Sequence, residues 1–129
     1  MGTFNASFEV GDRDGQRWES VEALVDTGAS YTWIPKDVLE RLGIKPEFSL
    51  EFETADGRII ERGAAETFAR LNGTRRTTVV VFGDEASRAL LGAYTMEGFS
   101  VAPDPVNKRL VRVRGLAMRA LPATSPGRL

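Results

Sequence analysis

Short runs of apolar and β-branched residues alternate with turn sequences along most of the chain. This pattern is typical of strands joined by tight hairpins. Three hairpins are predicted, because Asp, Asn and Gly tolerate the positive φ that tight turns need; the turns are Gly11–Gly15, Asp56-Gly57 and Asn72-Gly73. The strands that flank these turns are Thr3–Val10 and Gln16–Val25, Ser49–Thr54 and Ile59–Arg62, and Glu66–Leu71 and Thr74–Phe82. Within the last strand, Val79–Phe82 is β-branched and aromatic, and we expect it at the centre of a sheet.

Two segments carry helix signals. Pro35–Leu42 opens with a proline and is followed by Gly43, which is the usual asymmetry of helix ends. A shorter helix is predicted at about Tyr94–Gly98, after which Phe99–Ala102 and Leu110–Val113 return to an extended pattern on either side of a Pro103–Pro105 turn. The predicted fold class is therefore all-β, with one or two short helices.

The length of 129 residues is that of a single domain, and 42% hydrophobic with 27% charged residues is the balance of a soluble globular protein. We expect the domain to cover residues 1–115 and residues 116–129 to form a flexible tail. The formal net charge of -1 gives no electrostatic reason to expect nucleic acid or an anionic membrane as a partner. No segment resembles a signal peptide or a membrane span, so a cytoplasmic location is the default expectation.

The chain contains no histidine and no cysteine. Ser-His-Asp triads, Cys-His dyads, zinc sites built on these residues and disulfides are therefore excluded. Carboxylates, hydroxyls, lysines, arginines or a hard metal ion held by oxygen remain as sources of chemistry. The acidic residues lack the spacing of a calcium or magnesium loop, so we predict no metal site and no cofactor.

The most informative segment is Ala23–Ser30, with the sequence ALVDTGAS. Asp26 follows an apolar strand and begins a tight turn with Thr27 and Gly28. Gly28 allows the backbone to approach a ligand closely, and Thr27 can hydrogen-bond within the turn. The same residue types also form ordinary Asx turns, so the tripeptide alone leaves a structural and a catalytic role open.

The surroundings of this tripeptide favour the catalytic role. Residues 23–34, ALVDTGASYTWI, resemble the catalytic segment of the retropepsin-like aspartic proteases, including a threonine at Thr32. The second motif of that family, two apolar residues and a glycine, is matched by Leu90-Leu91-Gly92, and its flap hairpin is matched by Phe52–Gly63. The resemblance extends over roughly residues 3–114. It implies a single closed β-barrel domain with a flap hairpin, in a single-domain member of the bacterial type.

The resemblance also implies roles for individual residues. Asp26 is expected to act as catalytic acid or base, Thr27 to lock two active-site loops together, and Gly28 to offer its backbone to the substrate. The expected substrate-binding residues come from the Asp26 loop, the flap and the second motif, and they are Ala29, Ser30, Ile34, Thr54, Ala55, Asp56, Gly57, Ile59 and Leu90. For the apolar members of this set, packing in the core is the alternative interpretation.

Catalysis of this type needs two carboxylates that share one proton, but the chain has one Asp-Thr-Gly and no internal repeat. The second carboxylate is therefore expected from Asp26 of another copy, in a homodimer. The predicted function is an aspartic endopeptidase that hydrolyses extended peptide segments. Viral relatives carry Asp and Arg where this chain has Ser30 and Ala93, and those side chains brace their dimer. The joint absence of both leaves a second hypothesis, a dimerisation or peptide-binding module with little or no proteolysis.

Overall fold

Residues 3–115 are described by the computed structural model. They form nine strands and two helices, so the all-β prediction with short helices is confirmed. The strands are β1 (Asn5–Gly11), β2 (Trp18–Val25), β3 (Thr32–Pro35), β4 (Phe48–Glu53), β5 (Ile59–Leu71), β6 (Thr74–Gly83), β7 (Ala89–Leu91), β8 (Val101–Asp104) and β9 (Arg109–Arg112). The helices are α1 (Lys36–Arg41) and α2 (Ala93–Gly98). The predicted tail, residues 116–129, lies outside the described residues.

The three predicted hairpins are present in the structure. β1 pairs with β2, β4 with β5, and β5 with β6, all antiparallel. At the β5–β6 turn both Asn72 (φ 51°) and Gly73 (φ 81°) have positive φ, as a type I′ turn requires. The sequence predicted separate strands at Ile59–Arg62 and Glu66–Leu71, but these belong to one continuous strand, because β5 runs through Gly63 without a break.

Six of the strands close into a barrel, as the family resemblance implies. Their hydrogen-bonded order is β1-β2-β7-β3-β6-β5, and β5 pairs again with β1. The ring can close because the 13 residues of β5 pair with three neighbours: with β4 at Ile59–Ala64, with β6 at Ala64–Leu71 and with β1 at Phe68–Arg70. β4 pairs with β5 beyond the closed ring and is the edge strand of the sheet.

The hydrophobic core fills the barrel and extends under α1. Fully buried aliphatic side chains from four elements meet there: Val10, Ile34, Leu39 and Val80. Burying one such side chain stabilises the fold by roughly 1.5–3 kcal/mol. The run Val79–Phe82 lies in β6 between β3 and β5, which confirms its predicted place at the centre of the sheet.

Both predicted helices are present, with ends that differ by a residue or so from the prediction. α1 begins at Lys36, immediately after Pro35, and α2 begins at Ala93, immediately before Tyr94. Gly43 follows α1 with φ 74°, and its N–H donates to the Glu40 carbonyl (2.9 Å), as expected for a glycine beyond a helix end. No helix among residues 3–115 is long and apolar enough to cross a membrane.

β8 and β9 form a separate two-stranded sheet. Pro103 and Asp104 belong to β8, where the sequence predicted a turn, and the turn lies at residues 105–108 instead. A proline is tolerated there because β8 has a single partner strand, so the missing N–H lies on the free edge. Phe99 and Ser100, predicted as the start of this strand, form a turn in which Ser100 has φ 55°.

Candidate active site

Asp26 lies directly after β2, where the strand gives way to the loop of residues 26–31. Alternate residues of β2 are buried in the barrel, and its last residue, Val25, pairs in parallel with Leu91 of β7. The Asp26 N–H then donates a hydrogen bond to the Leu91 carbonyl (3.0 Å). The barrel therefore fixes the backbone of Asp26, while the residue itself is only partly buried.

The carboxylate of Asp26 is oriented by its own loop. The Gly28 N–H donates to Asp26 Oδ1 (2.9 Å), and the Ala29 N–H donates to the Asp26 carbonyl (3.1 Å). A Cβ at position 28 would lie 3.2 Å from Oδ1, so a glycine lets the loop close around the carboxylate. Oδ2 has no hydrogen-bond partner among residues 3–115, and Thr27 and Gly28 are exposed beside it.

The other end of the loop is attached to the start of α2. The Ala93 N–H donates to the Ala29 carbonyl (2.8 Å), and the Tyr94 N–H donates to the Ser30 carbonyl (2.9 Å). The first amides of a helix have no acceptor within their own helix, so the loop carbonyls satisfy them. The loop carbonyls and the first amides of α2 thus satisfy each other's hydrogen bonds, and α2 holds the loop in place.

Gly92 is the residue that allows this close contact. A Cβ at position 92 would lie 2.3 Å from the Tyr31 carbonyl oxygen and 2.9 Å from that of Ala29. The Gly92 N–H donates to Oγ1 of Thr32 (3.1 Å), a residue with no exposed surface. The second motif and the Asp26 loop are therefore packed too tightly for any residue other than glycine.

An open cleft of about 300 Å³ borders the Asp26 loop. It is lined by Thr3, Phe4, Val25, Asp26, Thr27, Pro103 and Pro105. Asp26 is the only ionisable side chain in this set, and most of its neighbours are apolar. Within residues 3–115, no three His, Cys, Asp or Glu side chains are grouped as metal ligands would be. The cleft therefore presents one carboxylate on an apolar surface.

The turn of the β4–β5 hairpin is braced by its own side chains. The Thr54 N–H donates to the Arg58 carbonyl (2.8 Å), and Gly57 takes φ 87°. Thr54 Oγ1 donates to the Asp56 carboxylate, and Arg58 Nε donates to the same group (3.0 Å). These bonds, first the one from Thr54 and then the one from Arg58, lower the pKa of Asp56 below its usual value. The tip therefore carries a defined ion pair on an exposed turn.

An aromatic contact anchors the same hairpin to the barrel. Trp33 of β3 packs against Phe52 of β4, with ring centroids 4.9 Å apart and planes inclined by 52°. Beyond this contact the hairpin is surrounded by solvent, and Ile59 is 61% exposed. The hairpin arm is thus anchored by the Trp33–Phe52 contact and by an ion pair between Arg62 and Asp84 (3.7 Å), while its tip has no packing partner among the described residues.

The comparisons with known proteins agree with this geometry. A family model described as aspartyl protease matches residues 7–95, a range that includes the Asp26 loop, the hairpin and Gly92. The chain belongs to the aspartyl protease family. The solution structure of Simian Foamy Virus (mac) protease is similar to it with a TM-score of 0.53 and 18% sequence identity, covering 78% of this chain and 99% of the viral one. These findings confirm the retropepsin-like resemblance and fold. No curated protein matches the chain significantly.

The structure of this aspartyl protease family member groups only some of the predicted site residues. Asp26, Thr27, Gly28, Ala29 and Ser30 share one loop. The predicted residues of the hairpin do not line the Asp26 cleft in a single chain; they are Thr54, Ala55, Asp56, Gly57 and Ile59.

Two predicted pocket residues lie in the barrel wall. Ile34 is fully buried in the core, so its side chain has no surface with which to line a pocket in this chain. Leu90 is half-buried in β7, where it pairs with Leu24 and Trp33. Core packing was the alternative to pocket lining for both residues. It accounts fully for Ile34, and in part for the half-buried Leu90.

Some residues that line the Asp26 cleft were not predicted as site residues, because they are distant from Asp26 in the sequence. Phe4, Pro103 and Pro105 come close to Asp26 only through the folding of distant segments, and no local pattern marks them. Thr78 of β6 is one further residue whose sequence position hints at a special role: the alternation of β6 places it on the buried face, where a polar residue is unusual.

Proposed function

We propose that this member of the aspartyl protease family is an endopeptidase that works as a homodimer, with its carboxylate pair formed by Asp26 of two subunits. The observation that carries the proposal is the Asp26 loop itself. Its carboxylate is oriented by the Gly28 N–H, supported by β7 and α2, and exposed at the edge of an open cleft. A carboxylate needed only to stabilise a turn would not require this second layer of support.

The chemistry follows from two carboxylates that share one proton, since like charges about 3 Å apart do not both ionise. The ionised Asp26 accepts a proton from a water molecule, whose oxygen bonds to the carbonyl carbon of the peptide. The protonated Asp26 of the other subunit donates its proton to the carbonyl oxygen. The C–N bond of the resulting tetrahedral intermediate then breaks. The nitrogen leaves with the proton that the first Asp26 took from water, and one hydroxyl of the intermediate gives its proton to the second Asp26, which restores the shared proton.

The need for a second copy is supported by the composition of the cleft. It holds one ionisable side chain, and an apolar wall of Phe4, Pro103 and Pro105 stands beside it. In the proposed dimer the partner's loop approaches along this wall and brings the two Asp26 carboxylates within about 3 Å of each other. The twofold axis of the dimer would then pass close to Thr27, which is exposed in the single chain and available to contact its copy.

The proposed substrate is an extended peptide held between the Asp26 loop and the β4–β5 hairpin. The hairpin acts as a flap that closes over the peptide, excludes water and bonds its main chain. In the dimer, Ala29 and Ser30 would contact the peptide from the loop side, and residues 54–59 would contact it from the flap side. The exposure of the hairpin beyond the Trp33–Phe52 contact supports such a movement.

Peptide cleavage by an Asp26→Asn variant tests the proposal. Purified protein is incubated with unfolded casein at acidic pH, with and without pepstatin. The wild type should cleave casein and pepstatin should inhibit it, whereas Asp26→Asn should be folded and inactive. Asp14→Asn is the matched control, because Asp14 is exposed in the β1–β2 turn and should keep full activity. Cleavage by the Asp26 variant would assign the activity to another residue.

Dilution tests the dimer. Because each active site needs two chains, specific activity should fall as the protein is diluted below its dimer dissociation constant. Sedimentation measures that constant independently. A monomer that keeps full activity at every concentration would contradict the proposed pair.

One observation favours the second candidate, a dimeric peptide-binding module without proteolysis. The flap turn is fixed by the Thr54–Asp56–Arg58 bonds, and a rigid charged turn is suited to holding a peptide as well as to closing over one. If the wild type forms dimers and binds unfolded casein, but cleaves nothing between pH 3 and pH 8, this candidate replaces the first.

A further inference from the structure

Three buried threonine hydroxyls form a chain behind the Asp26 loop. Thr32 of β3, Thr78 of β6 and Thr95 of α2 are 0%, 2% and 2% exposed. The Oγ1 atoms of Thr32 and Thr95 are 2.6 Å apart, and those of Thr95 and Thr78 are 2.7 Å apart. Because an unpaired hydroxyl is costly in such a place, these contacts constrain three elements that are distant in sequence.

Thr95 is the central member of this chain. It is the only one of the three whose hydroxyl contacts both others, so its loss leaves two buried hydroxyls without that partner. Thr32 Oγ1 also accepts the Gly92 N–H (3.1 Å), so the proton of Thr32 is available to point towards Thr95. The contact with Thr95 thereby selects the Thr32 rotamer that faces Gly92.

The chain of threonine hydroxyls ends at Gly92, in the segment that supports the Asp26 loop. Gly92 lies between Leu91, whose carbonyl accepts the Asp26 N–H, and Ala93, whose N–H donates to the Ala29 carbonyl. None of the three threonines lines the Asp26 cleft. Any effect of the hydroxyl chain on Asp26 must therefore pass through the backbone, either through residues 91–94 or through Thr32, which directly follows the loop.

We propose that Thr95 is a positioning residue for Asp26, acting through Thr32 and Gly92. The proposal rests on the function proposed above, because its catalytic consequence requires Asp26 to be the reacting carboxylate. With the Thr95 hydroxyl present, Thr32 holds the Gly92 N–H and the loop has one arrangement. Without it, Thr32 rotates to find another partner, and the backbone that supports Asp26 is released.

Kinetics of matched variants test this role. Thr95→Val keeps the shape of the side chain and removes the hydroxyl, whereas Thr95→Ser keeps the hydroxyl. Above the dimer dissociation constant, Thr95→Val should lower kcat by roughly 10- to 100-fold, because small displacements of a catalytic group have effects of this size. KM should change little, since the hydroxyl does not touch the peptide. Thr95→Ser should restore most of kcat, and Thr77→Val, an exposed control on β6, should behave as the wild type.

Amide hydrogen exchange gives a readout that does not depend on activity. In Thr95→Val the amides of Gly92, Ala93 and Tyr94 should exchange faster while that of Val80 in the core does not, and Thr95→Ser should reverse the change. Uniformly faster exchange, or an unchanged kcat in a destabilised Thr95→Val, would overturn the positioning role. If the wild type cleaves nothing while Thr95→Val still shows the local exchange pattern, the proposed protease function is overturned and control of the loop by Thr95 is supported.

Discussion

Replacing Gly92 by alanine tests the closest approach within the candidate site. The added Cβ would lie 2.3 Å from the carbonyl oxygen of Tyr31, 2.5 Å from its carbonyl carbon and 2.9 Å from the oxygen of Ala29. All three are backbone atoms, so no side-chain rotation relieves the overlap. Either the Asp26 loop or the start of α2 must move, and the hydrogen bonds between them must lengthen.

The expected cost has two parts. Forcing an extra methyl group into a well-packed site costs about 1–3 kcal/mol, and sometimes more. The movement also weakens the bond from the Gly92 N–H to Thr32, and a buried hydroxyl left without that partner adds about 1 kcal/mol. We therefore expect the free energy of unfolding to fall by about 2–4 kcal/mol. This is a large part of the roughly 5–15 kcal/mol that stabilises a small domain.

Urea unfolding followed by tryptophan fluorescence measures this loss. For a small domain the free energy falls by about 1–3 kcal/mol per molar urea, so the midpoint should drop by roughly 1–4 M. All variants are compared at one protein concentration, because dimerisation would make the midpoint depend on it.

Gly98→Ala is the matched control, since it makes the same substitution at the last residue of α2. A Cβ there has no atom within 4 Å, and alanine favours a helix over glycine by up to ~1 kcal/mol. Its midpoint should be unchanged or slightly higher than that of the wild type. Equal midpoints for Gly92→Ala and Gly98→Ala would refute the reasoning, because a Cβ meets backbone atoms at position 92 and open space at position 98.

Three further results are expected. Hydrogen bonds from Arg70, opposed in part by desolvation, lower the pKa of Glu9. A lowered folded-state pKa stabilises the fold above the unfolded-state pKa, and this stabilisation is lost as the pH falls through the folded-state pKa. In urea titrations Glu9→Gln should therefore be less stable than the wild type at pH 7, and the difference should shrink as the pH is lowered. Leu39→Ala should reduce the free energy of unfolding by about 2–5 kcal/mol, because Leu39 is fully buried; an exposed site such as Val106→Ala should not. Gly57→Ala should raise KM for casein more than it lowers kcat if the β4–β5 turn holds substrate, because alanine is strained at φ 87°; an unchanged KM would contradict that role.

The parts of the fold that could be predicted are those with local chemical causes. Asn72-Gly73 specifies a type I′ turn wherever it occurs between strands, and Pro35 with Gly43 marks both ends of a helix. The turn at Asp26 could be predicted for a similar reason, since Asp-Thr-Gly after an apolar strand favours a tight turn, whereas its catalytic role rested on the resemblance of residues 23–34 to the family's catalytic segment. Each of these signals depends on residues close together in the sequence.

The parts that could not be predicted depend on contacts between distant segments. β3 and β7 have four and three residues, too few to show an alternating pattern, and they are strands because longer partners lie beside them. The pairing of β1 with β5, which closes the barrel, depends on the length of β5 and brings Glu9 beside Arg70, a contact that no local pattern marks. The threonine chain is of the same kind, since Thr32, Thr78 and Thr95 are ordinary residues until the fold brings them together.

The dependence on distant contacts extends to the candidate site. The barrel has two parallel pairings, β2 with β7 and β3 with β6, and both lie at the Asp26 loop. Parallel strands bring their carboxyl ends to the same edge, so the pairing of Val25 with Leu91 puts Asp26 beside Gly92. The β4–β5 hairpin and β6 lie between these two segments in the sequence, so the site joins segments that are distant along the chain.

Two kinds of inactive variant can therefore be distinguished: those that unfold the barrel and those that change the site in a folded barrel. A core variant such as Leu39→Ala should lose activity only in proportion to the fraction of chains that are unfolded, because the folded chains keep the loop intact. Asp26→Asn and Thr95→Val should instead lose activity in fully folded protein. Measuring activity and fluorescence on the same samples along a urea titration therefore distinguishes a change in the site from a change in the barrel that builds it.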